Sequence, residues 1–233
     1  TDRDYEGDPA RAAIADEEID YLIAAASEYF EKPLQRDDIV WSFSGVRPLF
    51  DDHASKAQEA TRDYVLKTEG GAGEPPLLNI FGGKITTYRK LAEHALEKLA
   101  PHLPGLKPAW TETAPLPGGD MPDADFDRFL AGLRQRFPFL PEGLSHRLAR
   151  AYGTRADRLL GAARHLEDLG EDFGGGLRRA EVDYLIREEW AVTAEDILWR
   201  RSKLGLHVPA GTAERLEAYL VQARPARETL SAA

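Results

Sequence analysis

A stretch rich in proline and glycine, residues 102–122, divides the chain into two parts. The sequence there, HLPGLKPAWTETAPLPGGDMP, contains five prolines and a pair of glycines at 118 and 119. Proline lacks a backbone N–H and paired glycines favour turns, so neither a helix nor a strand can run through this stretch. We therefore interpret residues 102–122 as a connector between two differently built regions.

The first region, residues 1–101, mixes helical and strand patterns. Apolar residues recur at helical spacing over 16–30 and 86–99, which predicts two amphipathic helices. Alternation of polarity and enrichment in β-branched and aromatic residues predict strands. The predicted strands cover residues 39–44, 62–67 and 77–81.

The second region, residues 123–233, is predicted to be helical throughout. The helices expected from apolar periodicity cover 123–136, 143–152, 155–165, 178–190, 194–204 and 210–223. Trp190 and Trp199 are expected in the core of this bundle, together with Leu185, Ile186, Ile197 and Leu198. The predicted fold class is therefore α+β, with the remnant of a mixed β-sheet followed by an all-helical C-terminal domain.

Several residues in the second region have the spacing of helix ends. Thr193 and Asp196 have the spacing of a capping box, in which each side chain binds the other's backbone N–H. Gly153, Gly170 and Gly205 fall where helices should end, because glycine adopts a positive φ without strain.

Composition excludes several classes of function. The net charge of −10 argues against a general nucleic-acid-binding role. The chain has no cysteine, and its six histidines show no metal-binding spacing, so no metal site is expected. It has no signal peptide and no apolar run of membrane-spanning length. Because it begins at Thr1, we expect it to be a piece of a longer protein.

The sequence FGGKITTYRK, residues 81–90, is the strongest candidate for a binding site. It reads as the end of a strand, a turn and the start of a helix. Gly82 and Gly83 permit close approach of a ligand, Lys84 adds a positive charge, and Thr86 or Thr87 can cap the helix. The turn is therefore a candidate site for an anion or a polarised carbonyl oxygen. The pattern alone favours the alternative, an ordinary strand-to-helix turn with a solvated lysine.

A second candidate is Arg47, in the sequence SGVRPL. Pro48 stiffens the backbone after it, so the guanidinium could bind a phosphate or carboxylate with both of its N–H pairs. The alternative is a surface arginine that pairs with Asp51 or Asp52, and the pattern alone favours it.

Several longer stretches of the sequence together indicate a family resemblance. The segments TDRDYEGDP, RDDIVWSFSGVRPLFDD, TRDYVL, FGGKITTYRKLAEHALEKL, PAWTETAPLPGG, LGEDFG and LWRRSKLGL occur in this order. Together they closely resemble the C-terminal half of the FAD-dependent, quinone-linked glycerol-3-phosphate dehydrogenases of aerobic bacteria. The resemblance implies that residues 1–101 are an incomplete C-terminal part of the substrate-binding and FAD domains.

The family resemblance also implies a reaction and roles for the candidate residues. The reaction is oxidation of sn-glycerol 3-phosphate to dihydroxyacetone phosphate, with electrons passed through FAD to ubiquinone. Arg47 and Lys84 would contact the substrate. Gly82, Gly83, Lys84, Thr86 and Thr87 would face the flavin, whose reduced ring such N–H groups could stabilise. No catalytic residue is assigned within this chain.

The resemblance further implies a homodimer that lies peripherally on the cytoplasmic face of the bacterial inner membrane. The dinucleotide motif G-x-G-x-x-G is absent from the 233 residues, so we expect the isolated chain neither to hold FAD nor to turn over substrate. Two alternatives stay open: a glycerol-3-phosphate oxidase that uses O₂, and a free-standing helical interaction module. We also expect residues 1–100 to have open strand edges and exposed apolar faces.

Overall fold

The computed structural model describes residues 5–50, 63–70 and 73–223. The chain forms two compact units, Thr1–Ala114 and Pro115–Ala233. Asp51, Asp52 and Arg62, the first residue of the strand predicted at 62–67, lie outside the described residues. The pairing of Arg47 with either aspartate therefore stays a prediction.

The described residues of the first unit form two helices and one β-hairpin. Helix α1 covers Asp16–Ser27, strand β1 Tyr64–Glu69, strand β2 Leu77–Gly82 and helix α2 Tyr88–Leu99. Short 3₁₀ turns cover Pro9–Arg11, Arg36–Asp38, Ile85–Thr87 and Ala100–His102. The two predicted helices and the strand predicted at 77–81 are confirmed. The strand predicted at 62–67 is also confirmed in its described part, but it covers Tyr64–Glu69.

Strands β1 and β2 pair antiparallel, with Tyr64 opposite Gly82 and Glu69 opposite Leu77. Among the described residues of this unit they form a two-stranded sheet, so the expected mixed sheet is not found there. The strand predicted at 39–44 is wrong. Its residues form no ladder, and Val40 and Phe43 are 81% and 78% exposed. A strand needs a partner for its backbone groups, and the described residues offer none beside this segment.

Apolar surface is exposed throughout the first unit, as expected. On the apolar face predicted for α2, Ile85 is 86% exposed and Tyr88 and Leu96 are nearly half exposed. Glu93 is the one buried residue among the described residues of this unit. The pattern of α2 is therefore that of a core-facing helix, but its apolar face has little to pack against.

The second unit is built mainly from helices. Its helices are α3 (Phe126–Arg136), α4 (Glu142–Tyr152), α5 (Ala156–Leu160), α6 (Arg179–Glu189) and α7 (Thr212–Ala223), with a π-helical segment at Asp196–Arg201. Short 3₁₀ turns cover Pro122–Ala124, Gly153–Arg155, Leu166–Leu169 and Leu204–Leu206. Each predicted helix has a counterpart, although α5 is half as long as expected.

The prediction of an all-helical second region is wrong in one place. Strands β3 (Asp172–Gly174) and β4 (Leu177–Arg178) pair antiparallel as a small hairpin. The glycines at 174, 175 and 176 all have a positive φ, which makes the tight turn possible. Phe173 and Leu177 are fully buried, so the hairpin is part of the core.

A single apolar core holds the second unit together. Its fully buried members come from the helices and from the hairpin, and include Leu133, Leu148, Ala156, Phe173, Leu177, Val182, Leu185, Ile197, Leu216 and Leu220. Each buried leucine or isoleucine contributes about 1.5–3 kcal/mol by leaving water. The expected core positions Leu185, Ile197 and Leu198 are confirmed, and Ile186 and Trp199 pack partly buried against this core.

The core position predicted for Trp190 is wrong. Trp190 is 80% exposed and lies at the end of α6 in the left-handed conformation, with φ 55° and ψ 34°. The helical spacing that would bury it stops at Glu189, so its side chain leaves the helix outside the buried face. The carbonyls of Glu189 and Trp190 accept hydrogen bonds from the Arg201 guanidinium.

The predicted helix ends are largely confirmed. Asp196 accepts from the Thr193 N–H at 3.0 Å, and the Thr193 hydroxyl accepts from the Asp196 N–H at 3.1 Å, so the capping box is present. Gly153 and Gly170 have φ of 53° and 77° where helical turns end. The prediction for Gly205 is wrong, because it lies within the Leu204–Leu206 turn.

Candidate functional site

The turn after β2 has the backbone that two glycines were expected to allow. Gly82 and Gly83 have φ of 66° and 90°, a region that other residues enter only with strain. Lys84 follows in an extended conformation, and its side chain is exposed. The Ile85–Thr87 turn then leads directly into α2. The chain therefore reverses sharply and presents Lys84 at the start of a helix.

The two threonines do not cap the helix as predicted. Thr87 occupies the N-cap position of α2 but makes no side-chain cap bond, and its hydroxyl instead donates to the Lys84 carbonyl at 2.8 Å. The Thr87 N–H donates to the same carbonyl at 3.0 Å. Thr87 thus stabilises the turn, while Thr86 is exposed. The Tyr88 N–H donates to the Ile85 carbonyl, so backbone bonds of the turn take the place of a side-chain cap.

Gly82 brings the segment that carries Arg47 against this turn. A Cβ at Gly82 would lie 3.4 Å from the Phe50 N and 3.7 Å from the Pro48 carbonyl oxygen. The Phe50 and Phe81 rings also meet, with centroids 5.6 Å apart. Arg47 is exposed and immediately precedes Pro48. Two segments with one candidate cation each therefore lie in backbone contact.

The hydrogen-bonded pair Tyr64 and His94 packs against the turn. A Cβ at Gly83 would lie 3.1 Å from the Tyr64 Cβ, so Tyr64 packs directly against this glycine. The Tyr64 hydroxyl lies 2.5 Å from the His94 Nδ1 on α2. This pair connects β1, the turn and α2. Sequence reasoning missed it, because residues 64 and 94 share no local spacing.

A second network ties α2 to the connector. The buried Glu93 carboxylate accepts hydrogen bonds from the Thr111 hydroxyl and from Lys90 and Arg89. These contacts lower the pKa of Glu93, the Thr111 hydroxyl most and Lys90 next. Positive side chains in the first turn of a helix are disfavoured by the helix dipole. In α2 the pairing of Arg89 and Lys90 with Glu93, one turn later, offsets this effect.

The described residues contain neither a metal site nor a spanning helix. No group of three or more histidine, aspartate or glutamate side chains there could hold a metal ion. In the same part of the chain, no helix combines the length and the apolar character that crossing a bilayer requires.

The helical unit defines the class of protein. Residues 109–221 match the sequence model of the C-terminal domain of alpha-glycerophosphate oxidase. The resemblance to the C-terminal half of the aerobic glycerol-3-phosphate dehydrogenases is confirmed by relatives that match the whole chain.

Three relatives are informative. The chain is 48% identical over 231 residues to the aerobic glycerol-3-phosphate dehydrogenase of Escherichia coli, covering 99% of this chain and 46% of the relative. It is 50% identical over 233 residues to the glycerol-3-phosphate dehydrogenase of Pseudomonas aeruginosa, covering 100% and 45%. It is also 49% identical over 210 residues to the D-erythritol 1-phosphate dehydrogenase of Brucella abortus, covering 89% and 41%.

The chain thus spans about half the length of the curated relatives it matches, 46% of the first and 45% of the second. Their three names share one feature, a phosphate ester of a small polyol. Identity over this part of the sequence is nearly equal for the glycerol and the erythritol enzymes.

Proposed function

We propose that this chain is the C-terminal part of a flavin-dependent dehydrogenase that oxidises sn-glycerol 3-phosphate to dihydroxyacetone phosphate. The observation that supports this most is the contact between the Arg47 segment and the Gly82–Lys84 turn, with a Cβ at Gly82 3.4 Å from the Phe50 N. It brings together the two segments whose cations the substrate phosphate would need. In this proposal residues 1–101 are the incomplete flavin and substrate part, 102–122 the connector and 123–233 the C-terminal domain.

The two cations have complementary roles in this proposal. Arg47 would bind the phosphate through its planar guanidinium, which suits two oxygens at once. Lys84 would contact a phosphate or hydroxyl oxygen as a compact charge. Both side chains are exposed, so a ligand can reach them.

The turn also fits one edge of a flavin. Gly82 and Gly83 lack side chains that would block a planar ring, so the backbone of the turn could approach it closely. When bound, FAD would accept the two electrons removed from the substrate's alcohol carbon. Gly82, Gly83, Lys84, Thr86 and Thr87 would position the ring, and Thr87 would do so through its hydrogen bonds to the Lys84 carbonyl.

The substrate could also be a longer polyol phosphate. The near-equal identity to the erythritol enzyme supports this second candidate. A phosphate site built from Arg47 and Lys84 would serve both substrates, because the phosphate is common to them. The carbon chain would then be distinguished by residues that this chain does not contain.

Ubiquinone as electron acceptor, a homodimer and a peripheral position on the cytoplasmic face of the inner membrane belong to the same proposal. An O₂-using oxidase stays the alternative for the acceptor, and a helical interaction module is the alternative for the isolated chain. We expect the purified 233-residue chain to bind no stoichiometric FAD, which its visible absorption spectrum would test.

A chimera tests the proposed activity. The N-terminal part of the Escherichia coli relative, joined to this chain where the similarity begins, is assayed with glycerol 3-phosphate and erythritol 1-phosphate. A quinone analogue and O₂ serve as alternative acceptors. We expect turnover with a quinone analogue, and a loss of roughly 10–100-fold in kcat/KM in Arg47→Ala or Lys84→Ala, mostly through KM.

Lys98→Ala is the matched control, because Lys98 lies on α2 away from the turn. Its kcat/KM should stay unchanged. An active chimera in which Arg47→Ala and Lys84→Ala behave like Lys98→Ala would refute the assigned site. A folded chimera that holds FAD but oxidises neither substrate would refute the activity.

A further inference from the structure

Three arginines surround one carboxylate on the surface of the second unit. The Glu188 Oε1 accepts a hydrogen bond from the Arg187 Nε at 3.0 Å. The Glu188 Oε2 faces Arg155 at 3.6 Å and Arg158 at 3.7 Å. These three guanidinium groups and one carboxylate, which we call the arginine cluster, carry a net charge of +2 (three minus one) in a chain of net charge −10.

Two further acids face one arginine of the cluster. Glu189 and Asp120 both interact with Arg155, and Arg201 also faces Glu189. The three arginines of the cluster lower the pKa of Glu188, Arg187 most, so this carboxylate stays charged. The positive excess of the cluster therefore lies at Arg158 and Arg187, which share the single carboxylate of Glu188.

The long contacts leave hydrogen-bonding capacity at the cluster. At 3.6 and 3.7 Å, Arg155 and Arg158 attract Glu188 electrostatically but do not form hydrogen bonds with it. The guanidinium groups repel one another, and a single carboxylate offsets only part of that repulsion. Arg158 and Arg187 are 62% and 60% exposed, so an anion from solvent can reach them.

The cluster is also held in place. A hydrogen bond to the Tyr184 hydroxyl raises the pKa of Arg155, and Tyr184 is 1% exposed. The adjoining Ala156 is fully buried. Arg155 therefore projects from a rigid part of the core, which lowers the entropy cost of binding.

We infer that the arginine cluster is a binding site for a phosphate-type oxyanion, either inorganic phosphate or a soluble phosphate monoester. Guanidinium groups match tetrahedral oxyanions because their forked N–H pairs bind two oxygens together. The anion binds beside Glu188, shared by Arg155, Arg158 and Arg187. This site is independent of the function proposed for the Gly82–Lys84 turn.

The test is calorimetric titration of the whole 233-residue chain with inorganic phosphate and with glycerol 2-phosphate at constant ionic strength, with chloride as the reference. Arg158→Gln and Arg187→Gln should each weaken binding about tenfold. Arg128→Gln, which removes a charge at a side chain 68% exposed on α3, should leave it unchanged.

Glu188→Gln provides the sharpest readout. It removes the competing carboxylate, so phosphate should bind several-fold more tightly, whereas a purely structural ion-pair network would lose stability and gain no affinity. A folded chain without saturable phosphate binding, or binding that Arg158→Gln and Glu188→Gln leave unchanged, would overturn the inference. Binding to phosphatidylglycerol vesicles without any response to soluble phosphate would overturn it as well.

Discussion

The two units differ most in where their apolar side chains lie. In the described chain, every buried hydrophobic residue falls between Phe129 and Leu220, within the second unit. In the described part of the first unit the one buried residue is the charged Glu93. Yet helices and strands form in both. The difference shows that an amphipathic helix can form where its apolar face stays exposed, while burial of that face depends on the elements around it.

The first way to test this comparison is to disturb the closest backbone contact of the second unit. A Cβ at Gly153 would lie 1.9 Å from the Gly118 carbonyl oxygen, and φ there is 53°. Gly153→Ala should destabilise this unit by at least about 5 kcal/mol, because neither backbone can move away without breaking α4. Denaturant unfolding followed by near-ultraviolet circular dichroism measures it.

Gly143→Ala is the matched control, since nothing lies within 4 Å of a Cβ there. It should change stability by less than about 1 kcal/mol, in the stabilising direction, because alanine favours the helix. Equal effects of the two substitutions would contradict the role of the Gly118–Gly153 contact.

The next largest effect is expected at the buried ion pair of the second unit. The Glu181 carboxylate accepts from both terminal nitrogens of Arg147, at 2.7 and 2.6 Å, and from the Tyr152 hydroxyl at 2.7 Å. Glu181→Ala should cost about 3–5 kcal/mol, because it leaves a partly buried guanidinium and a buried hydroxyl without their acceptor.

Glu142→Ala removes an ion pair with Arg134 whose carboxylate is 85% exposed, and should cost less than about 1 kcal/mol. The urea midpoints of the two variants give the comparison. If Glu181→Ala were as mild as Glu142→Ala, burial would not be the source of the stability of this network.

The third test compares two apolar residues, one from each unit. Leu133 is fully buried, and Leu133→Ala should cost about 2–5 kcal/mol. Ile85 is 86% exposed, and Ile85→Ala should change stability by less than about 0.5 kcal/mol. Thermal unfolding by calorimetry measures both, and a large loss from Ile85→Ala would mean that the apolar face of α2 is covered in solution.

The smallest effect concerns pH. The Asp196 carboxylate accepts from the Val192 and Thr193 N–H groups at 2.9 and 3.0 Å, and these bonds hold the pKa of Asp196 well below its usual range. Because the folded pKa lies below the unfolded one, this contribution is complete above about pH 4 and is lost as the pH falls through the folded pKa.

Asp196→Asn should therefore lower the free energy of unfolding at pH 7 by about 1–2 kcal/mol. It should also make that free energy depend less on pH in the acid range. The exposed Asp127→Asn should change the acid dependence little. Denaturant midpoints measured between pH 2 and 7 distinguish the two, and parallel curves for Asp196→Asn and the unaltered chain would exclude the capping role.

Local signals predicted much of the fold and part of the candidate site. The strands Tyr64–Glu69 and Leu77–Gly82, the helices and the capping box at Thr193 all depend on residues a few positions apart. The positive φ of Gly82 and Gly83 was likewise a local expectation. Their spacing is in the sequence, so it could be read directly.

Long-range partners could not be read in this way. Residues 39–44 have strand-like composition but find no partner strand in the described part of the chain. Trp190 has core-like spacing but lies beyond the last turn of α6. The Tyr64–His94 pair and the Arg147–Glu181 pair join residues 30 and 34 positions apart.

The sequence by itself determined the helix and strand periodicity and the glycines of the Gly82–Lys84 turn, because each follows from steric and polarity constraints on neighbouring residues. Only the tertiary structure decided that the Arg47 segment meets this turn, that Glu93 is buried and that three arginines converge on Glu188. Such contacts depend on how distant elements pack, and packing is set by the whole chain rather than by any local pattern.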